Sequence, residues 1–114
     1  MSKNTLEDPP EPLKVEEVIG FCRKKWGVTY ELRILVKGEN IFLHIMWRYL
    51  EQKSFIKNEQ EFKDHLSEKL DVINRLGQAS FVRNWLLHVK GRPKGGKALS
   101  LRLRPDYRLK EFVL

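Results

Sequence analysis

Cysteine is almost missing from this 114-residue chain: Cys22 stands alone. No disulfide can form within one copy, and the natural expectation is a reducing compartment. Long apolar runs are missing too. No stretch approaches the roughly 18 consecutive apolar residues of a membrane-spanning helix. The first twelve residues, MSKNTLEDPPEP, lack the apolar centre of a signal peptide and the arginines of a transit peptide, so the sequence reads as cytoplasmic. The three histidines, His44, His65 and His88, have no neighbour at the short spacings that zinc sites use. No internal repeat is present, and the length is that of one domain.

Acidic residues are scarce in one place only. From Met1 to Gln78, 13 Lys/Arg meet 13 Asp/Glu; from Ala79 to Leu114, nine Lys/Arg meet only Asp106 and Glu111. The whole net charge of +7 therefore belongs to the last third of the chain.

What is present is apolar patterning. Ile41 to Trp47 is apolar or aromatic except for His44, and Gly38, Glu39 and Asn40 precede it. A run without alternation predicts a central strand buried on both faces, with the chain leaving the sheet after Trp47. Upstream, Tyr30, Leu32, Ile34 and Val36 alternate with Thr29, Glu31, Arg33 and Leu35, which makes Val28–Val36 the other arm of an antiparallel hairpin.

Two helices flank this hairpin. Val15, Val18, Ile19, Cys22 and Trp26 recur at helical spacing between Leu13 and Trp26, with Glu16 and Glu17 in the first turn, Arg23, Lys24 and Lys25 in the last, and Gly27 as the stop. Asn58 with Glu61 marks a second start. Phe62, Leu66, Leu70, Ile73 and Leu76 continue it as a stripe that Gly77 ends. Leu50–Phe55 is ambiguous between a short helix and an irregular crossing. Ala79–Lys90 fits either a helix or a strand. The clean alternation of Leu99, Leu101 and Leu103 after a Gly- and Pro-rich connection tips it toward a strand closing a second hairpin, Val82–Arg104.

The expected fold is α+β: an antiparallel sheet of two β-hairpins packed against two main helices. Residues 1–12 are expected to form an acidic, proline-rich disordered tail, and residues 13–114 the domain. Trp26, Trp47, Leu66 and Leu101 are expected to be buried. Asp106–Leu114 is expected to end as a short helix.

Four segments, KWGVTY, IFLHIMWRYLEQKSF, EQEFKDHL and RPKGGKALS, occur in this order from Lys25 to about Leu103. They resemble the motif blocks of the uncharacterised family called domain of unknown function 3067, found in cyanobacteria and plastid-bearing eukaryotes. The resemblance implies an α+β domain over most of the chain and carries over no catalytic residue.

Several constellations invite chemistry and have plainer readings. GRPKGGKA, Gly91–Ala98, begins like a phosphate-binding P-loop. Ala98 stands where that motif needs a hydroxyl, however, and the next residues read as a strand instead of a helix. Cys22 with one of the histidines suggests a nucleophile and base, yet it lies on the apolar stripe with Val18 and Trp26 and reads as packing. With no convincing catalytic pair, metal cluster or cofactor motif, the chain is expected not to be an enzyme, unless Glu51, His65 and His88 assemble a site.

The feature with the strongest claim is basic. Lys90, Arg92, Lys94 and Lys97 crowd one loop, and Arg102 and Arg104 oppose the leucines of the last strand. Paired as proposed, the six would share one end and one face. Such a face either aids solubility alone or meets an anionic partner, an acidic protein surface, a nucleic acid or an anionic membrane face; a solvated face usually mixes its charges, which favours the partner. Tyr49 beside Arg48 and Tyr107 beside Arg108 are candidate aromatic anchors. Trp26, Trp47 and Trp85 read mostly as core. The favoured function is a protein-interaction adaptor or assembly factor, monomeric and without a cofactor. The alternative is an RNA- or DNA-binding module using the loop 90–97.

Overall fold

A computed structural model describes residues 11–104. Its elements run α1 (Val15–Trp26), β1 (Tyr30–Lys37), β2 (Asn40–Tyr49), α2 (Glu59–Arg75), α3 (Ala79–His88) and β3 (Leu99–Arg102). The architecture is α+β, as expected, but the second hairpin is replaced by a helix and a lone strand.

The sheet is antiparallel with order β1-β2-β3, so β2 is central. Gly38 and Glu39 form the two-residue turn between Lys37 and Asn40 that closes β1 on β2. Leu32 lies opposite Ile45 and Ile34 opposite Leu43, while Leu101 and Leu99 meet Leu43 and Ile45 from the other side. Period-two alternation places all of these side chains on one face. Leu43 and Ile45 are wholly buried there, in one cluster with Val18, Ile19 and Cys22 of α1, Phe62, Leu66, Leu70 and Ile73 of α2, and Val82 and Leu86 of α3.

The other face carries Arg33, Leu35, Phe42, His44, Met46, Ser100 and Arg102, all half-buried or exposed. The expectation that Ile41–Trp47 is buried on both faces is therefore corrected: one face packs, and the apolar run on the other is left half-open. Nor does the strand end at Trp47. It continues to Tyr49, which pairs with Tyr30 across a register irregularity between Tyr30 and Leu32. Extra residues at such an irregularity break the alternation that marks a strand. The following Leu50–Phe55 is a series of turns.

The helix ends follow local chemistry. The Asn58 side chain accepts from the Glu61 amide at 2.8 Å, and the Glu61 carboxylate accepts from the Asn58 amide at 3.0 Å, a reciprocal capping box. At the other end of α2, Gly77 with φ 71° turns the chain sharply. Its amide reaches the Asn74 carbonyl and the Gln78 amide reaches that of Ile73, closing two otherwise orphaned acceptors before α3 begins.

Ala79–His88 is a helix, where a strand was favoured. Ala79, Val82 and Leu86 are buried, with Phe81 and Trp85 half-buried beside them. The proposed partner of Leu99–Arg102 was wrong for a related reason. The strand satisfies its backbone on the free edge of β2, against Phe42–Ile45, and leaves residues 79–88 to pack as a helix on α1 and α2.

Two side-chain amides tie extended chain to this frame. Asn74 accepts from the Leu13 amide at 2.8 Å and donates to the Leu13 carbonyl at 3.1 Å. Buried Gln78 accepts from the Arg104 amide at 2.7 Å and donates to the Arg104 carbonyl, bonding the end of the β3 edge as a further strand would. Arg83 holds the carboxylate of Glu17 through two contacts and also donates to the Glu11 and Pro12 carbonyls. Glu11 and Pro12 are thus fastened to α3, where a free tail through residue 12 was expected. Residues 1–10 lie outside the described residues, as does the expected helix at 106–114.

Of the four residues expected in the core, Leu66 is buried, while Trp26, Trp47 and Leu101 are half-buried. No helix among the described residues is long and apolar enough to cross a membrane.

Candidate anion-binding surface

The connection from α3 to β3 is held in place by α1. The Lys25 ammonium donates to the carbonyls of Leu87 at 3.3 Å and Val89 at 3.0 Å, where α3 ends. The Trp26 indole donates to the Gly91 carbonyl, and the Arg92 guanidinium donates back to the Trp26 carbonyl, both at 2.9 Å. Cations at helix C-termini satisfy unpaired carbonyls and suit the negative end of the dipole. Pro93 is buried.

Beyond it, Lys94 and Lys97 exchange both backbone hydrogen bonds, at 3.0 and 2.7 Å, around Gly95 and Gly96. Gly96 has φ 78°, a conformation a side chain would strain. The loop is therefore a fixed platform. Lys90, Lys94 and Lys97 are exposed on it, and Lys25, Trp26, Val89, Gly91, Arg92 and Lys94 line a shallow depression of about 560 Å³. Lys24 and Lys25, at the end of α1, add charge to the same end of the molecule, a contribution that reading the loop alone missed. The signal was available in the run Arg23-Lys24-Lys25 before a helix stop.

The six cations do not share one end. Leu99 enters β3 opposite Ile45, and Arg102 lies opposite Phe42, toward the β1-β2 turn. At about 3.3 Å per residue, Arg104 is about 23 Å from Lys97 along the chain. Arg102 is exposed on the open sheet face, whereas Arg104 stacks over the Phe81 ring at 5.7 Å and has its backbone bonded by Gln78. Among the described residues, none of Lys90, Arg92, Lys94, Lys97, Arg102 and Arg104 makes a salt bridge; every ion pair there uses Arg23, Lys57, Lys63, Lys69 or Arg83.

Tyr49 is half-buried, its ring edge-on to Tyr30 at 5.9 Å, and Tyr30 in turn meets Trp26 at 5.5 Å. These rings connect the platform to the core. Arg48 lies over Phe55 at 5.9 Å. Tyr107 lies outside the described residues.

The other chemical candidates do not come together in one site. Cys22 is wholly buried, and burial pushes its thiol up to about 11, far from a reactive thiolate. Glu51 accepts from the Thr29 amide and hydroxyl, both at 2.8 Å, and lies 3.6 Å from Arg23. Burial opposes ionisation, but those bonds and the guanidinium hold its carboxyl below the ordinary value. His88 bonds the Asn84 carbonyl of its own helix, and exposed His65 sits on α2. The turn carrying Gly96 and Lys97 leads into β3, whereas a P-loop leads into a helix.

The family matched is Domain of unknown function (DUF3067), over residues 16–113. Curated proteins give no match. Among solved structures, the solution NMR structure of the Alr2454 protein from Nostoc sp. strain PCC 7120 is similar with a TM-score of 0.80 and 34% identity, covering 90% of this chain and 98% of that one. With the motif blocks, the fold and the matched range in agreement, the chain belongs to the family Domain of unknown function (DUF3067).

Proposed function

We propose that this protein is a non-enzymatic adaptor or assembly factor that meets an acidic protein surface with the platform Lys90–Lys97 and the adjoining end of α1. One observation carries the reading. The loop's backbone is fixed by bonds from Lys25, Trp26 and Arg92, yet Lys90, Lys94 and Lys97 have no acidic partner among the described residues. A preorganised group of unneutralised cations favours binding of an anion, because little ordering entropy is lost on contact. The reading sets the protein in an aqueous reducing compartment, the cytoplasm of a cyanobacterium or the plastid stroma, in keeping with a buried unpaired Cys22 and a similar protein from Nostoc.

A second reading has its own observation. On the open sheet face, Phe42 lies opposite Arg102 and His44 opposite Arg33, and aromatic rings beside cations on a strand surface suit single-stranded nucleic acid. Affinity capture from a photosynthetic cell, with and without nuclease, separates the two. A protein partner retained after nuclease and lost when Lys90, Lys94 and Lys97 become Ser supports the adaptor. Recovery that disappears with nuclease supports the second reading.

A further inference from the structure

We propose that the groove between the free edge of β1 and helix α2 takes an extended acidic segment of a partner protein as a fourth strand of the sheet. This inference concerns the opposite edge of the sheet from β3 and does not rest on the basic platform.

The backbone supplies the first half of the site. Among the described residues β1 is an edge strand. The two-residue turn makes Lys37 and Asn40 a hydrogen-bonded pair, and antiparallel geometry then points the amides and carbonyls of Leu35 and Arg33 at β2. Those of Leu32 and Ile34 point the other way. Natural edges are commonly blunted by proline, bulges or covering elements. Between Leu32 and Val36 this edge has none of the first two, and Leu35 and Val36 are 40% and 68% exposed. That length, about 13 Å, matches a segment of four or five residues.

Side chains supply the second half. A groove of about 420 Å³ runs along Glu31–Leu35, floored by Phe62 and Leu66 of α2 and rimmed by Lys57, His65 and Lys69. Lys57 bonds Glu31 Oε2 at 3.3 Å, while Glu31 Oε1 is buried with no hydrogen-bond partner among the described residues. An unsatisfied buried acceptor is costly, so an incoming amide or hydroxyl is favoured there. Among the described residues Lys69 meets only Glu68, at 4.0 Å, and Arg33 is exposed on β1. Arg33, Lys57 and Lys69 set against Glu31 and Glu68 leave the groove and its rim one charge positive. A strand and a helix flanking a slot is the geometry by which sheets accept an added strand, with backbone bonds giving affinity and flanking side chains giving choice. A second copy of this chain fits less well, since it would bring the Arg33 and Lys37 cations of two β1 strands together.

The test uses the whole chain and a blocked peptide of sequence Thr-Glu-Val-Glu-Val-Glu, read by amide hydrogen exchange and chemical shifts. Exchange at the Leu32 and Ile34 amides should slow by about tenfold or more on saturation, while the Arg33 and Leu35 amides, already paired with β2, change little. Lys69→Glu, on the helix rim, should weaken binding by about tenfold, and a peptide with Lys in place of Glu should not bind. Ile34→Pro should abolish binding by removing an outward amide; if that variant fails to fold, Lys69→Glu still decides. Changing Lys90, Lys94 and Lys97 to Ser should leave this binding intact, so failure of either surface is separately visible. No protection at Leu32 and Ile34, shift changes centred on Lys90–Lys97, or amides already slow without peptide would each overturn the proposal; the last would mean that the edge is occupied by this chain or a second copy.

Discussion

The two stretches of the chain on either side of Gln78 use their cations differently in this fold. Up to Gln78, several cations pair with acidic neighbours: Lys63 bridges Glu16 at 3.0 Å and Glu59 at 3.3 Å, Lys57 meets Glu31, and Arg23 meets Glu51. After it, only Arg83 finds an acidic partner among the described residues, crossing to Glu17 at 2.5 Å. Cations of the last stretch that do structural work bind carbonyls or rings instead, Arg92 at the end of α1 and Arg104 over Phe81. The lesson is that a charge count does not separate partner-binding cations from structural ones. Among the described residues Lys90, Lys94 and Lys97 have no acidic partner, while Arg92 in the same loop is a fastening.

The comparison is broken most severely at the helix carrying its exception. Leu86 is 1% exposed and Leu87 is 53% exposed. Leu86→Ala should cost about 3 kcal/mol of stability and Leu87→Ala less than about 0.5, measured by urea unfolding. Similar costs at both positions would contradict the placement of α3.

The next effect is that of the Glu17–Arg83 pair. The bond from Arg83 holds the Glu17 carboxyl below its ordinary value of 4.5, despite opposing burial. A lowered folded value means stability fully present above the unfolded value and lost as pH falls through the folded one. Arg83→Met should cost about 2 kcal/mol at neutral pH, and the loss should shrink on acidification below pH 4.5, read by thermal unfolding across pH. A loss independent of pH would show that the ion pair is not its source.

These two elements also mark where the sequence was legible. α1, the β1-β2 hairpin and α2 announce themselves because their signals are local: Gly27, the Gly38-Glu39 turn, and Asn58 with Glu61. For β3, alternation correctly gave a strand but could not name its partner. Residues 82–90 were close in sequence, but the exposed edge of β2 offered Leu43 and Ile45 as partners for Leu101 and Leu99. That choice is made by tertiary packing, which also overrode the strand-like alternation of Phe81, Arg83 and Trp85. The loop's charge was plain in the sequence. The division of labour within it was not, since the bond from Arg92 joins residues 66 positions apart.

Within the loop the comparison sharpens to a smaller effect. Arg92→Ser should cost about 1 kcal/mol, because the Trp26 carbonyl loses its donor. Lys94→Ser and Lys97→Ser should each stay within about 0.5 kcal/mol. Denaturant midpoints of the three variants check the order, and equal midpoints would return Arg92 to the free cations.

The central claim is that Lys90, Lys94 and Lys97 form the functional surface, and it is tested most directly by binding of the wild type and the variant with all three changed to Ser, across several salt concentrations, to each captured partner and to mixed RNA. For an acidic protein partner, the account predicts that affinity falls sharply in the variant and that the wild-type salt dependence is moderate. A nucleic acid seated on the sheet face would instead keep its affinity and its steep log K against log salt slope in the variant, because the cations it meets there are Arg33 and Arg102. Unchanged affinity of the variant for every partner recovered would contradict the account and leave the platform as a solvated surface.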